Sequence, residues 1–427
     1  MYYLNSTNMN TSIESGRKGE IAPWITILLL SIYEYVIDYA KYKVIHKQIY
    51  FLAVFVICII ILANKRKYKV NSALSGIYIF IVFAIFRMTI SDIDFTYLLH
   101  WICILIAMGV GITDLQYNRI SKLLIIGGVI ISFSCILHML APNQLYSIGE
   151  LFLDAKWKTE ATRFSSWLQY TGLTYQTGTS ANIAVFGLSY YFSSLAYRKK
   201  SKVEIIIILA CFYVGIALTS KRMMFIISLM IPLIVYMCKM TFDGKKASNR
   251  FVAFSSIMII SFIGISVFLP YLDNVNVIRR FFIADFSDAN RLANGRIDLY
   301  KYAIDIFKEN PLWGAGWGAY GAQIGMGAHN VYLQLLSETG IIGFSIYMIA
   351  VIRVFMITLK KVRTNKQSSD ITKTILTFSL VIQIVYLMYS FSGNALYELP
   401  MKTVYFYSCA IGVSAGESSR LTKVNMA

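Results

Sequence analysis

The sequence predicts an all-α integral membrane protein of about 12 transmembrane helices, with a large extracytoplasmic loop that carries short amphipathic helices. Three observations carry that prediction. Apolar blocks recur along the 427 residues, nearly all of them about 17 residues or longer, the helix length that ~30 Å of hydrocarbon demands. Hydrophobic residues make up 57% of the chain and charged ones only 15%, where a soluble chain carries about a quarter charged. Basic residues collect in every second connection between blocks, as the positive-inside rule requires of cytoplasmic loops.

In order, the blocks run near 21–39, 48–64, 74–90, 96–113, 121–141, 180–197, 203–219, 223–240, 251–270, 340–358, 374–392 and 403–416. The first is no signal peptide, because its core is long and no small-residue cleavage site follows. It holds Glu34 and Asp38 and is followed by Lys41, Lys43 and Lys47 on the side otherwise poor in cations. It either spans or lies in the interface, which would leave one span fewer and an outside N-terminus. The basic connections are Lys65-Arg66-Lys67-Tyr68-Lys69, the pair Arg119 and Lys122, Arg198 to Lys202, Lys239 to Arg250, and Lys360 to Lys373. These loops and both termini are expected in the cytoplasm. The formal charge of +18 therefore reads as membrane topology and not as nucleic-acid binding. The six cysteines, Cys58, Cys103, Cys135, Cys211, Cys238 and Cys409, all fall inside apolar blocks and read as small hydrophobes.

The whole of 1–427 reads as one polytopic domain with two long outer connections, 142–179 and 271–339. The first is polar and aromatic, with Trp157 and Trp167 suited to the headgroup level. The second contains an amphipathic stretch with Ile297, Tyr300, Ile304 and Phe307 on one stripe. Asn294 is a candidate cap for it and Asn310-Pro311 a stop. Gly314, Gly316, Gly318, Gly321, Gly325 and Gly327 follow, six glycines in fourteen residues. A second helical pattern, Val331 to Glu338, leads through Gly340 into the next span.

The outer side holds the candidates for chemistry. Arg296 opens the amphipathic stretch, where the helix dipole favours an anion and a guanidinium adds a bidentate phosphate donor; a solvated loop arginine is the plainer alternative. Lys221 and Arg222 share a very short outer turn, where they either snorkel to lipid phosphates or bind a ligand. Arg163, Arg279 and Arg280 are weaker candidates of the same kind. Gly314-Ala315-Gly316-Trp317-Gly318 allows close backbone approach and an anion nest, but lacks the lysine-serine ending of a nucleotide loop. Of the four histidines, His46 lies in a basic stretch and His100 and His138 in spans, which leaves His329 in a long outer loop. It stands at a helix entry, so it is either a proton-transfer group or a cap. No metal-ligand spacing accompanies it. Nor does a chain of buried acidic residues cross the spans, which weakens a transporter reading.

Asn294-Gly295-Arg296, Asn310-Pro311-Leu312-Trp313-Gly314-Ala315-Gly316-Trp317-Gly318 and His329-Asn330-Val331-Tyr332-Leu333, ending in Glu338-Thr339-Gly340-Ile341-Ile342-Gly343, together resemble the signature region of the O-antigen polymerase and O-antigen ligase superfamily. Thr219-Ser220-Lys221-Arg222 resembles the family's outer turn, with Lys221 where serine is usual. The resemblance implies a metal-independent membrane glycosyltransferase without cofactor or nucleotide sugar, in the bacterial cytoplasmic (inner) membrane, its site facing the periplasm or cell exterior. Donor and acceptor would be glycans on undecaprenyl pyrophosphate. Arg222 and Arg296 would hold the pyrophosphate, with Lys221 and Arg163 as further cations. His329 would activate or orient the acceptor hydroxyl, and Glu338 would support the site from behind. Gly314, Gly316, Gly318 and Asn330 would form the motif backbone. A chain rich in Ile, Lys, Tyr and Phe is typical of surface-polysaccharide loci, which favours a polymerase of O-antigen or capsule repeats. A ligase acting on lipid A core, a lipid-linked oligosaccharide flippase and a non-enzymatic assembly scaffold are the alternatives. A flippase and a chain-length regulator are the companion proteins to look for.

Overall fold

The computed structural model describes residues 71–91, 95–110, 112–245 and 296–416, with residues 24, 25, 27, 28 and 56 standing apart. Apart from those five, the blocks predicted near 21–39, 48–64 and 251–270 lie outside the described residues, as do His46, Arg279, Arg280 and Asn294. Each other predicted span coincides with a helix, and no strand occurs among the described residues. The helices are α1 (Ser75–Thr89), α2 (Phe95–Met108), α3 (Asp114–Leu140), α4 (Pro142–Gly149), α5 (Ala155–Ser166), α6 (Thr177–Leu195) and α7 (Lys202–Leu218). They continue as α8 (Arg222–Phe242), α9 (Arg296–Glu309), α10 (Ala319–Ile324), α11 (Val331–Thr364), α12 (Asp370–Tyr389) and α13 (Leu399–Ser414).

Among the described residues, Ser72–Thr89, α3, α8, α11 and α12 are long and apolar enough to cross a membrane, and Tyr97–Met108 is a shorter apolar helix. Ile79, Val82 and Phe86 on α1, Ile126, Ile130 and Phe133 on α3, and Ile349, Ile352 and Met356 on α11 are exposed at helical spacing. Outward apolar stripes of this kind suit contact with lipid. By contrast α6 is enclosed, and its Thr177, Thr179, Ser180, Asn182, Ser189 and Ser193 are buried. Close backbone approach makes room for it: a Cβ on Gly128 would stand 3.1 Å from the Cα of Gly187.

Three details depart from the sequence reading. Helix α3 begins seven residues before the predicted 121, because Thr113 and Gln116 form a capping box, with Thr113 N donating to Gln116 Oε1 at 2.7 Å. The loop 142–179 is largely ordered as α4 and α5, which fold over a small core of Leu145, Leu153, Trp157 and Ala161. On α9 the buried face carries Ala303 and Ile306, and Ile304 of the predicted stripe is exposed. The small Ala303 lets α9 dock against Tyr320, Ala328 and Ala315.

Segments predicted to share the outer side meet at one end. Tyr170 N donates to Leu218 O at 3.0 Å, Asn182 Nδ2 to Glu398 Oε2 at 2.7 Å, and Val331 N to Ser390 O at 2.9 Å. Segments next to the basic connections also meet one another: Thr372 Oγ1 donates to Asp114 Oδ2 at 2.6 Å and Lys361 Nζ to Ala415 O at 3.0 Å.

Candidate functional site

A break in α11 organises this end of the molecule. Gly340 has φ +63° and ψ −170°, a backbone that only glycine adopts readily, so Val331–Thr364 is two helical pieces. A break leaves carbonyls and N–H groups without helical partners, which is costly in a membrane protein. The glycine stretch supplies them. Ala315 N donates to Ser337 O at 2.9 Å and Gly316 N to Glu338 O at 3.0 Å. In return Ile341 N donates to Pro311 O at 2.9 Å and Ile342 N to Leu312 O at 3.3 Å. Gly314 (φ +70°) passes so close that a Cβ there would lie 2.4 Å from Thr339 N. Gly314 N goes to Asn310 O, and Ala315 N and Gly316 N are committed to closing the break, so the N–H groups of residues 314–316 form no anion nest.

Glu338 is the rivet of this closure. It is fully buried, and its carboxylate accepts from Tyr397 Oη at 2.8 Å and Gln334 Nε2 at 3.1 Å. The backbones of Gly318 and Tyr320 add hydrogen bonds to it. Trp317 is buried beside it, with its ring centroid 5.5 Å from Tyr397 and 5.8 Å from Trp101.

His329 sits at the mouth of the second helical pattern, and it does not cap that helix. Asn330 does, accepting from Tyr332 N at 3.0 Å and Leu333 N at 3.1 Å. His329 is left with φ +54°, held there by its N–H donated to Asn394 Oδ1 at 2.8 Å. Burial, then the charges of Arg296 and Lys221, push its pKa down to about 4, so the imidazole is neutral at physiological pH.

Those two cations come from different elements, Arg296 from α9 and Lys221 from the turn before α8. Arg296 starts α9 and spends one guanidinium N–H on Ser392 O at 2.8 Å. Lys221 lies in the turn between α7 and α8, with its Cε 3.8 Å from where a Cβ on Gly178 would stand. Ser220 before it has φ +56° and donates its hydroxyl to Leu168 O at 3.1 Å. Burial lowers the pKa of Lys221, Arg296 lowers it further and Glu398 opposes both. Of the buried polar atoms without a partner among the described residues, Ser392 Oγ belongs to the residue whose carbonyl holds Arg296, Thr177 Oγ1 to the residue before Gly178 beside Lys221, and Asn182 Oδ1 to the amide on Glu398.

The structure thus brings Lys221, Arg296 and His329 together, with Glu398 added. Arg222 is the half-buried first residue of α8. Arg163 is engaged elsewhere, 2.5 Å from Glu160 and over the rings of Phe164 and Trp167. Sequence reading missed the connection 390–398, which supplies Ser392 to Arg296, Asn394 to His329, Tyr397 to Glu338 and Glu398 to Lys221. Its signal was a carboxylate and an asparagine in a short outer connection between two spans.

Residues 173–348 match the family model described as O-antigen ligase. The match contains Lys221, Arg222, Arg296, the glycine stretch, His329 and Glu338, and supports the superfamily resemblance read from the motifs. It gives the flippase alternative no support. Arg163 and Glu398 fall outside it. No curated protein matches the chain.

Proposed function

Starting from a multi-pass membrane protein whose residues 173–348 carry an O-antigen ligase and polymerase superfamily domain, we propose that it polymerises undecaprenyl-pyrophosphate-linked oligosaccharide repeats. The reaction would run at the outer face of the bacterial cytoplasmic membrane. The observation that carries this reading is the convergence of Lys221 and Arg296 on a neutral His329. A pyrophosphate leaving group gathers negative charge as its bond to the sugar breaks, and cations fixed beforehand stabilise that charge most effectively. Arg296 keeps further N–H donors beyond the one given to Ser392, in a fork that matches phosphate. Lys221 adds a point charge and Arg222 lies one residue away. These cations take the place that a metal ion holds in other transferases. Thr177, Asn182 and Ser392 offer unpaired polar atoms to a hydroxyl-rich sugar. Neutral His329 suits a hydrogen bond that orients the acceptor hydroxyl towards the anomeric carbon of the donor.

The description of the matching family keeps transfer of a finished chain onto lipid A core as the second reading. Purified protein in proteoliposomes, given synthetic lipid-linked repeats and no ion gradient, separates the readings. A polymerase extends the repeats into a ladder. A product only when lipid A core is added identifies a ligase, and no glycan transfer to either acceptor would refute both.

A further inference from the structure

We propose that Glu398, clamped by Asn182 and Tyr389 beside Lys221, takes the proton of the attacking acceptor hydroxyl. This rests on the transferase reading. Two groups near the cations are chemically able to accept that proton, His329 and Glu398. Glu338 is not among them, because it is fully buried and its carboxylate already serves two side chains and two backbone groups. A proton on His329 would sit between Arg296 and Lys221, the two charges that already oppose it.

Glu398 is placed differently. It precedes the first residue of α13 but does not cap that helix; its side chain reaches across to α6 and the end of α12. Oε2 accepts from Asn182 Nδ2 at 2.7 Å and Oε1 from Tyr389 Oη at 2.9 Å. A carboxylate offers about four lone-pair sites, and Asn182, Tyr389 and the Asn394 backbone take three, which leaves one for a substrate hydroxyl. The residue as a whole is half-buried. Next to it the buried Asn182 Oδ1 has no partner, and a second sugar hydroxyl would satisfy it. Asn394 mounts both groups of the site, accepting the His329 N–H on its side chain at 2.8 Å and the Glu398 N–H on its carbonyl at 2.9 Å.

The electrostatics agree with this placement. Burial raises the Glu398 pKa, with Tyr389, Asn182, Lys221 and the Asn394 backbone pulling it down. A bound donor pyrophosphate draws Lys221 to itself and adds negative charge, and both effects make the carboxylate more basic. The base is therefore strongest when the donor is in place. In the step, the acceptor O–H bond breaks and its proton passes to Glu398. The oxygen forms a bond to the anomeric carbon, the bond from that carbon to phosphate breaks, and the electron pair leaves with undecaprenyl pyrophosphate.

The test uses the full-length protein in proteoliposomes, with undecaprenyl pyrophosphate as binding probe and a synthetic lipid-linked repeat as substrate. Glu398→Gln should bind undecaprenyl pyrophosphate at least as tightly as wild type, lose about 10²- to 10⁴-fold in kcat, and lose the acid limb of its kcat–pH profile. Glu398→Asp should retain measurable turnover. Turnover of the Gln variant within about threefold of wild type, well inside the range expected of a general base, would overturn the proposal. So would parallel loss of binding and turnover in both variants, the mark of a purely structural clamp. If the Gln variant does not fold, Tyr389→Phe decides. It removes a donor that favours the carboxylate, so the acid limb should move to higher pH, and an unmoved limb contradicts the assignment. A wild-type protein that neither binds the probe nor extends the repeat refutes the transferase reading itself and this proposal with it.

Discussion

Two clusters within one motif region behave in opposite ways. Around Glu338 the polar groups are matched: the helix break, the glycine stretch and the carboxylate satisfy one another. Around His329, two cations oppose each other, three buried polar atoms lack partners, and His329 and Ser220 hold positive φ. A non-glycine residue in that backbone region costs about 1–3 kcal/mol and persists only where its surroundings impose it. The contrast separates residues that a sequence motif runs together. The glycines, Asn330 and Glu338 build the frame, whereas Lys221, Arg296 and His329 are left with interactions to make.

The frame should break first and hardest. Gly340→Ala would place a Cβ 2.3 Å from Leu312 O in a backbone that alanine does not tolerate. A loss of about 3 kcal/mol or more is expected, read as a collapse of the monodisperse peak after mild heating in detergent. An unchanged melting curve would mean that the break does not organise this end.

Glu338→Ala and Arg296→Lys sharpen the contrast further. The first orphans the donors of Tyr397 and Gln334, at a cost on the order of 1–3 kcal/mol for each donor that finds no water. It should lower Tm before activity can be assessed. Arg296→Lys keeps the charge but loses the fork, so it should leave Tm in place and cut elongation substantially. Exchange of the two phenotypes would invert the assignment of frame and site.

A smaller effect belongs to charge. Lys221→Met removes one of the cations that oppose imidazolium, so the His329 pKa should rise from about 4 towards its ordinary value near 6.5. Histidine NMR of labelled protein, with His329 identified by its absence in a variant, measures this. An unchanged pKa would show that Lys221 does not act on His329. The smallest change is Asn330→Ala, which loses a helix cap worth about 1 kcal/mol and should shift Tm slightly with little effect on turnover.

Local signals made much of this legible. Long apolar periods placed the helices, and the motif stretch put Arg296 and His329 in one loop region. What escaped had non-local causes. Asn182 and Glu398 are 216 residues apart in the chain, and no periodicity reports such a contact. The choice of Lys221 as a cation beside His329 depends on which way a short turn faces, and that turn is set by Ser220 against Leu168. The glycine stretch left open whether a ligand or another chain segment approaches it, because its partner, the break at Gly340, is visible only once both segments fold together.

The central claim is that His329 orients the acceptor while Asn330 does the capping, and one substitution isolates it. Asparagine tolerates positive φ and keeps the backbone N–H that Asn394 holds, so His329→Asn removes the imidazole and little else. Purified protein in proteoliposomes, supplied with synthetic lipid-linked repeats, should retain wild-type stability and fail to build long chains. A ladder of wild-type length from His329→Asn would contradict the account.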